Sequence, residues 1–131
     1  EKGRAKIHGL QKAVNPITLQ KLMEHPIQGQ STELNDNRIS LYVAQRGKCA
    51  ICKEPLLLGE MEVHHITPKT SGGKDNYSNL ALVTGDVHKL VHATDPVIIR
   101  KYLEKLKNCK LNMVKLNKFR LLAGNCKLEY R

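Results

Sequence analysis

The chain has 131 residues, with 22 Lys and Arg against 12 Asp and Glu; 40% of it is hydrophobic, yet it holds one Phe and no Trp. That leaves room for one small domain with appended helices, and a core so poor in aromatics calls for a staple, either metal or disulfide. No apolar run near the N-terminus resembles a signal peptide or a membrane span, so the four cysteines read as reduced thiols of a cytosolic protein, where a close Cys pair more often means metal or nothing than a disulfide.

Charge is unevenly spread. Residues 1–48 hold 8 basic and 4 acidic side chains (+4), residues 49–96 hold 4 and 6 (−2), and residues 97–131 hold 10 and 2 (+8). Basic flanks around a slightly acidic centre are expected if the flanks grip phosphates and the centre holds a cation. A first residue of Glu rather than Met suggests a piece of a longer protein.

In chain order, residues 1–34 read as an N-terminal extension with a short helix around Thr18–Glu24, closed by Pro26. His8 and His25 are most simply surface residues there. "NDNRISLYVAQRG" follows as a helix, with Asn35 to Asn37 as capping candidates and Gly47 as its stop. "KCAICKEPLLLGEMEVHHI" contains Cys49-x-x-Cys52, a turn at Glu54-Pro55 and two short apolar runs; two antiparallel strands with a tight connection fit it best. "TPKTSGGKDNYSNL" is dense in turn formers and reads as a loop. From "LALVTGDVHKLVHA" the period becomes helical. Asp95-Pro96 caps and opens the helix "VIIRKYLEKLKN", and a last helix, "NMVKLNKFRLLA", ends at Gly124. The organisation expected is thus 1–34, a core over 35–95 and basic helices over 96–131. There is no internal repeat.

Four of the six histidines stand in two places, His64-His65 and His88-x-x-x-His92. Two imidazoles four apart on a helix share a face and offer a bidentate site for a divalent cation. A third ligand from a neighbouring strand would leave an open position, the mark of a catalytic metal. Neighbours on a strand project to opposite faces, so His64 and His65 cannot both bind one ion. One is free to act as a base.

"EVHHITPKTSGGKDNYSNLALVTGDVHKLVH" resembles the HNH endonuclease family, with its ββα-metal fold, over roughly residues 49–92. A narrower resemblance runs over about residues 35–125. "DNRISLYVAQRGKCAI" and "KLNKFRLLAGN" look like the C-terminal endonuclease segment of group II intron-encoded proteins, the reverse transcriptase and maturase proteins, although no Tyr-Ala-Asp-Asp box is present.

The resemblance implies an α+β fold built on a small ββα-metal core with flanking helices. It implies that His64, His88 and His92 hold one divalent metal, that His65 is the general base, and that Asn79 fixes the loop orienting His65; in some relatives the last His meets the phosphate instead. Glu62 would orient a ligand from behind. Water attack would nick one strand of double-stranded DNA, leaving a 3′ hydroxyl and a 5′ phosphate. The ion would be magnesium, manganese, zinc or nickel, and partners would include intron RNA and the rest of a reverse transcriptase/maturase protein, in a bacterial cytoplasm near the nucleoid.

Many HNH proteins hold a structural zinc with two Cys pairs. Cys49 and Cys52 fill the first, but Thr84 and Val87 stand where the second would be. Cys109 and Cys126 could complete such a site only if the C-terminal helices fold back; otherwise they are small buried hydrophobes. Tyr42 and Tyr102 read as core residues with a polar tip, and Tyr77 as a loop residue without ligand contact. Lys101, Lys105, Lys107, Lys110, Lys115, Lys118 and Arg120 give a basic stripe suited to a duplex backbone. The competing function is a non-catalytic, zinc-containing nucleic-acid-binding module, against which intact His65 and Asn79 speak.

Overall fold

A computed structural model describes residues 14–129. Within them five α-helices surround a two-stranded antiparallel sheet, the α+β class expected. The order is α1 (Pro16–Glu24), α2 (Thr32–Ala44), β1 (Met61–His65), β2 (Leu80–Thr84), α3 (Gly85–His92), α4 (Pro96–Lys105) and α5 (Met113–Leu122). Single 3-10 turns occupy Lys69–Ser71 and Tyr77–Asn79. No helix among these residues is long and apolar enough to cross a membrane. His8 and Tyr130 lie outside the described residues.

Each helix begins at a residue whose side chain accepts a first-turn N–H: Asn15, Ser31, Thr84, Asp95 and Asn112. Such a cap is worth about 1 kcal/mol, and Pro16 and Pro96 add a preset first turn. The capping expectation for Asn35 to Asn37 is corrected. Ser31 caps α2, and Asn35 lies inside it, with its Oδ1 accepting the Ile27 N–H at 2.7 Å.

The strands are also redistributed. β1 pairs across the long loop with β2, in register from Met61 opposite Thr84 to His65 opposite Leu80. "LALVT", expected to begin a helix, is therefore the second strand. Its first four residues are all buried, and an unbroken apolar run has no period to tell strand from helix. Residues 48–60, expected to supply a strand, instead form a turn closed by one bridge between Lys48 and Pro55. Of the Leu56–Leu58 run only Leu56 is buried.

The core lies where β2 meets α2, α3 and α5. Leu80, Leu82 and Val83 pack with Leu41 and Tyr42, Val87, Leu90 and Val91, and Leu116 and Phe119. Each such side chain, fully buried, contributes roughly 1.5–3 kcal/mol. Leu82 is further held by Gln45, whose amide accepts its N–H at 3.0 Å and donates to its carbonyl at 2.9 Å. A side chain thereby stands in for a third strand at the sheet edge.

Candidate active site

Strand alternation sends His64 inward and His65 the other way. His64 is 1% exposed, and its ring lies 5.3 Å from that of His88, 5.4 Å from that of His92 and 5.0 Å from Phe119. His88 and His92, one turn apart on α3, have ring centroids 4.8 Å apart. One nitrogen from each of the three imidazoles falls within 4.8 Å of the others, and no other trio of His, Cys, Asp or Glu among the described residues is drawn together so closely.

Nε2 of His64 is buried and has no hydrogen-bond partner, which costs stability unless something is to fill the place. Burial first, then the charges that His88, His92 and His65 can carry, hold its pKa down to about 3. It is therefore a neutral imidazole with a free lone pair, the form a metal ligand takes. His92 is likewise shifted down, by burial and then by His88 and Arg120. His88 Nδ1 bonds Glu62 Oε1 at 2.7 Å, fixing a tautomer that leaves Nε2 its lone pair. Gly85 makes room for this: a Cβ there would stand 3.0 Å from Glu62 Oε2. Three imidazoles with one orphaned nitrogen fit a divalent cation with a further position open.

His65 is paired separately. Its Nε2 lies 2.8 Å from Asp75 Oδ1, which leaves Nδ1 unprotonated in the neutral ring. Asp75 is gripped in turn: Ser31 Oγ donates to its Oδ2 at 2.6 Å, Lys69 Nζ lies 3.5 Å from Oδ1, and Asn37 donates to its carbonyl at 2.9 Å. The Ser31 bond, then that from His65, holds the Asp75 carboxyl down to about 2.

Asn79 organises the loop between them. Its Oδ1 accepts the Thr67 N–H at 2.8 Å, and its Nδ2 donates to Thr67 O at 3.1 Å and Lys74 O at 2.9 Å. Its carbonyl accepts the Ile66 N–H at 2.8 Å, just after His65. The loop passes so close that a Cβ on Gly73 would stand 1.8 Å from Thr67 O and 2.9 Å from Asn79 Nδ2. Only glycine fits.

His64, His88, His92 and Glu62 thus come together, with His65 and Asn79 adjoining. Asp75 and Phe119 were not anticipated. Asp75 had no local signal beyond being a carboxylate in a turn-rich loop, and Phe119 stacks on His64 only because α5 folds back.

The basic stripe does not hold in full. Lys101, Lys105, Lys107, Lys110, Lys115 and Lys118 are exposed, but Arg120 is 2% exposed and is corrected from a phosphate contact to a structural residue. Its guanidinium donates to Leu90 O at 2.5 Å, Ala93 O at 2.9 Å and Cys126 O at 2.8 Å, filling the carbonyl-rich end of α3. Lys107 is paired with Glu104 at 2.8 Å, and Lys101 and Lys105 stand over the Tyr102 ring. Lys115 and Lys118 line a separate hollow with Lys53 and Tyr77, so Tyr77 borders a basic pocket. Cys49 and Cys52 are buried side by side, and Cys126 is exposed.

Residues 49–93 match the family model described as HNH endonuclease. The matched segment holds the thiol pair, both strands and α3, and with them all four central histidines and Asn79. It points to a nuclease acting on nucleic acid with a divalent metal, and it leaves out α1, α2, α4 and α5. No curated protein and no solved structure matches the chain.

Proposed function

We propose that the chain is a metal-dependent DNA endonuclease that nicks one strand, and that it is the target-cleaving part of a group II intron-encoded protein. The observation that carries the nuclease reading is the buried, unpartnered Nε2 of His64 facing the imidazoles of His88 and His92, beside a His65–Asp75 pair that no purely structural metal module needs. The intron context rests on the sequence resemblance around the matched segment. Residues 35–95 would be the nuclease core, with 1–34 an extension and 96–131 helices that steady the core and offer lysines to the duplex.

His64, His88 and His92 would hold the ion. Three imidazoles suit zinc or nickel better than magnesium or manganese. When bound, such an ion would supply positive charge that offsets the negative charge developing on the phosphate and its leaving oxygen. His65 accepts a proton at Nδ1 from the attacking water. The Asp75 carboxylate keeps the ring in that tautomer and faces the positive charge the ring acquires. Asn79 and Gly73 keep the loop, and so the pair, in register. The products carry a 3′ hydroxyl and a 5′ phosphate, and one site breaks one bond.

The test is nicking of supercoiled plasmid by the whole chain with magnesium, manganese, zinc and nickel in turn, beside His65→Ala and a chelator control. Nicked circles should form only with metal and intact His65, while His65→Ala still binds metal and DNA. Equal cutting by His65→Ala would refute its role. DNA binding without cutting under any metal would favour the non-catalytic zinc-containing module.

A further inference from the structure

Phe119 has two neighbours. One is the ring of His64, 5.0 Å away; the other is a hollow of about 370 Å³. Buried Leu41, Ala50, Leu80 and Ala81 give this hollow the rest of its apolar floor. Ala81 is the register partner of His64, and Ile66, which follows His65, also lines it. The hollow therefore lies one ring from the imidazole trio and one residue from the histidine proposed as base. Half of its lining, Leu41, Ala44, Gln45, Lys115, Lys118 and Phe119, stands outside residues 49–93, so it is not a feature of the matched motif.

Three lysines, Lys53, Lys115 and Lys118, border the hollow, and no carboxylate does. All three are exposed, and none forms an ion pair among the described residues. Lys53 is held at a φ of 62°, a left-handed conformation that glycine would take without strain, so the turn after Cys52 carries its cation at a cost. Tyr77 stands beside these lysines, 46% exposed, and its hydroxyl has no hydrogen-bond partner among the described residues. Gln45 is spent on both backbone groups of Leu82 and on Lys48 O. What remains is an apolar floor, an aromatic face open to stacking and a set of unpaired cations, with no free amide or carboxylate side chain to read the edge of a base.

We propose that this hollow receives one unpaired nucleotide of the DNA strand being cut, with its base against Tyr77 and the apolar floor and its flanking phosphates on Lys53, Lys115 and Lys118. The proposal rests on the nuclease reading above. A phosphate alone calls for the cations but not for the floor, and a fully paired duplex keeps its bases stacked inward and leaves the floor empty. The volume falls within the roughly 300–1,000 Å³ of small-ligand sites. Aromatic stacking combined with cations along the backbone holds unpaired nucleotides with little regard to sequence, so all four bases should enter. Taking a base out of the stack costs least where it is already unpaired or mismatched. The hollow thus makes the chain select DNA carrying an unpaired residue beside the cut.

The test uses the whole chain with metal chelated, so that nothing is cut, and reads binding by fluorescence anisotropy. The probes are a labelled, fully paired hairpin duplex, the same duplex with one bulged thymidine, and the same with an abasic residue in the bulge. The bulged thymidine should bind about tenfold more tightly than the paired duplex, the effect of one base stack, and a bulged adenosine should match it within about threefold. The abasic bulge, which keeps the phosphates, should lose that gain. Tyr77→Ala should lose it too while binding the paired duplex as the wild type does. On the unaltered protein, 5-iododeoxyuridine placed in the bulge and irradiated should cross-link to the peptide that carries Tyr77, a readout that needs no variant to fold. Equal affinity for bulged and paired duplex, an abasic bulge as good as thymidine, a gain untouched by Tyr77→Ala, or a cross-link only to peptides outside the hollow would each overturn the proposal, as would a gain found only when the bulged strand is RNA. Nicking with metal but no gain from the unpaired base removes this subsite alone; the gain without nicking under any metal supports the subsite and removes the nuclease reading.

Discussion

Asp75 is held from three sides, by Ser31, by His65 and by Lys69, and it faces the histidine proposed as base. Asp75→Asn keeps the size of the side chain and removes its charge. It should lower the rate of nicking by about 100-fold, with affinity for DNA and metal content unchanged; single-turnover kinetics beside DNA titrations would check the split. An equal loss of DNA affinity would speak for a merely structural loop contact. The histidines themselves were legible, because strand alternation and the helical period of four dictate which imidazoles converge. Asp75 was not. It lies ten residues from His65 in a loop whose path is set by Asn79 and by the absence of a Cβ at Gly73, contacts that exist only once both strands are paired.

Helix α3 carries two of the three clustered histidines yet spans only eight residues, too few to be stable without outside help. Its start is capped by Thr84, and its last carbonyls are met by Arg120 from α5. Arg120→Ala should cost about 3 kcal/mol and lower the melting midpoint by roughly 10 °C, since several buried carbonyls lose their donor. Differential scanning calorimetry beside exposed Lys115→Ala, expected to melt like the wild type, would decide. Arg38 does the same service for α1, donating to Leu22 O at 3.1 Å and His25 O at 2.8 Å. All five helices were legible from their periods and stop signals, but not all from their caps: α2 is capped by Ser31, ahead of the Asn35 to Asn37 expected to cap it. The second strand was not, because "LALVT" is buried throughout its first four residues and runs straight into α3. The two arginines were equally opaque, since a basic residue on an amphipathic pattern looks the same whether it faces solvent or a neighbour's carbonyls.

For the molecule as a whole, the net charge of +10 was legible and its distribution only partly so. Lys115 and Lys118 share a hollow with Lys53, so Lys115→Ala/Lys118→Ala should reduce the slope of log affinity for DNA against log salt by about 2, as two lost phosphate contacts would. Filter binding across a salt series reads this directly. Global stability should also depend on acid through His64. Its pKa falls from 6.5 in the unfolded chain to about 3 in the fold, so between those values the unfolded state binds more protons. The metal-free protein should therefore lose stability as pH drops from 6.5 toward 3, by at most about 1.4 kcal/mol per unit from this group. Urea unfolding at several pH values, with His64→Leu as the variant lacking this slope, would measure it.

The contacts of Arg120 and Phe119 have a consequence for portability. The family match ends at residue 93, but the ring stacked on His64 and the donor that closes α3 both come from α5, beyond that boundary. A fragment excised at the edges of the match would keep every catalytic candidate and lose the surfaces that hold them. The smallest graftable unit for engineering a chimeric nuclease from this chain is accordingly not the recognised motif; it must run on through α5 to at least Cys126, whose carbonyl is the last one Arg120 clasps.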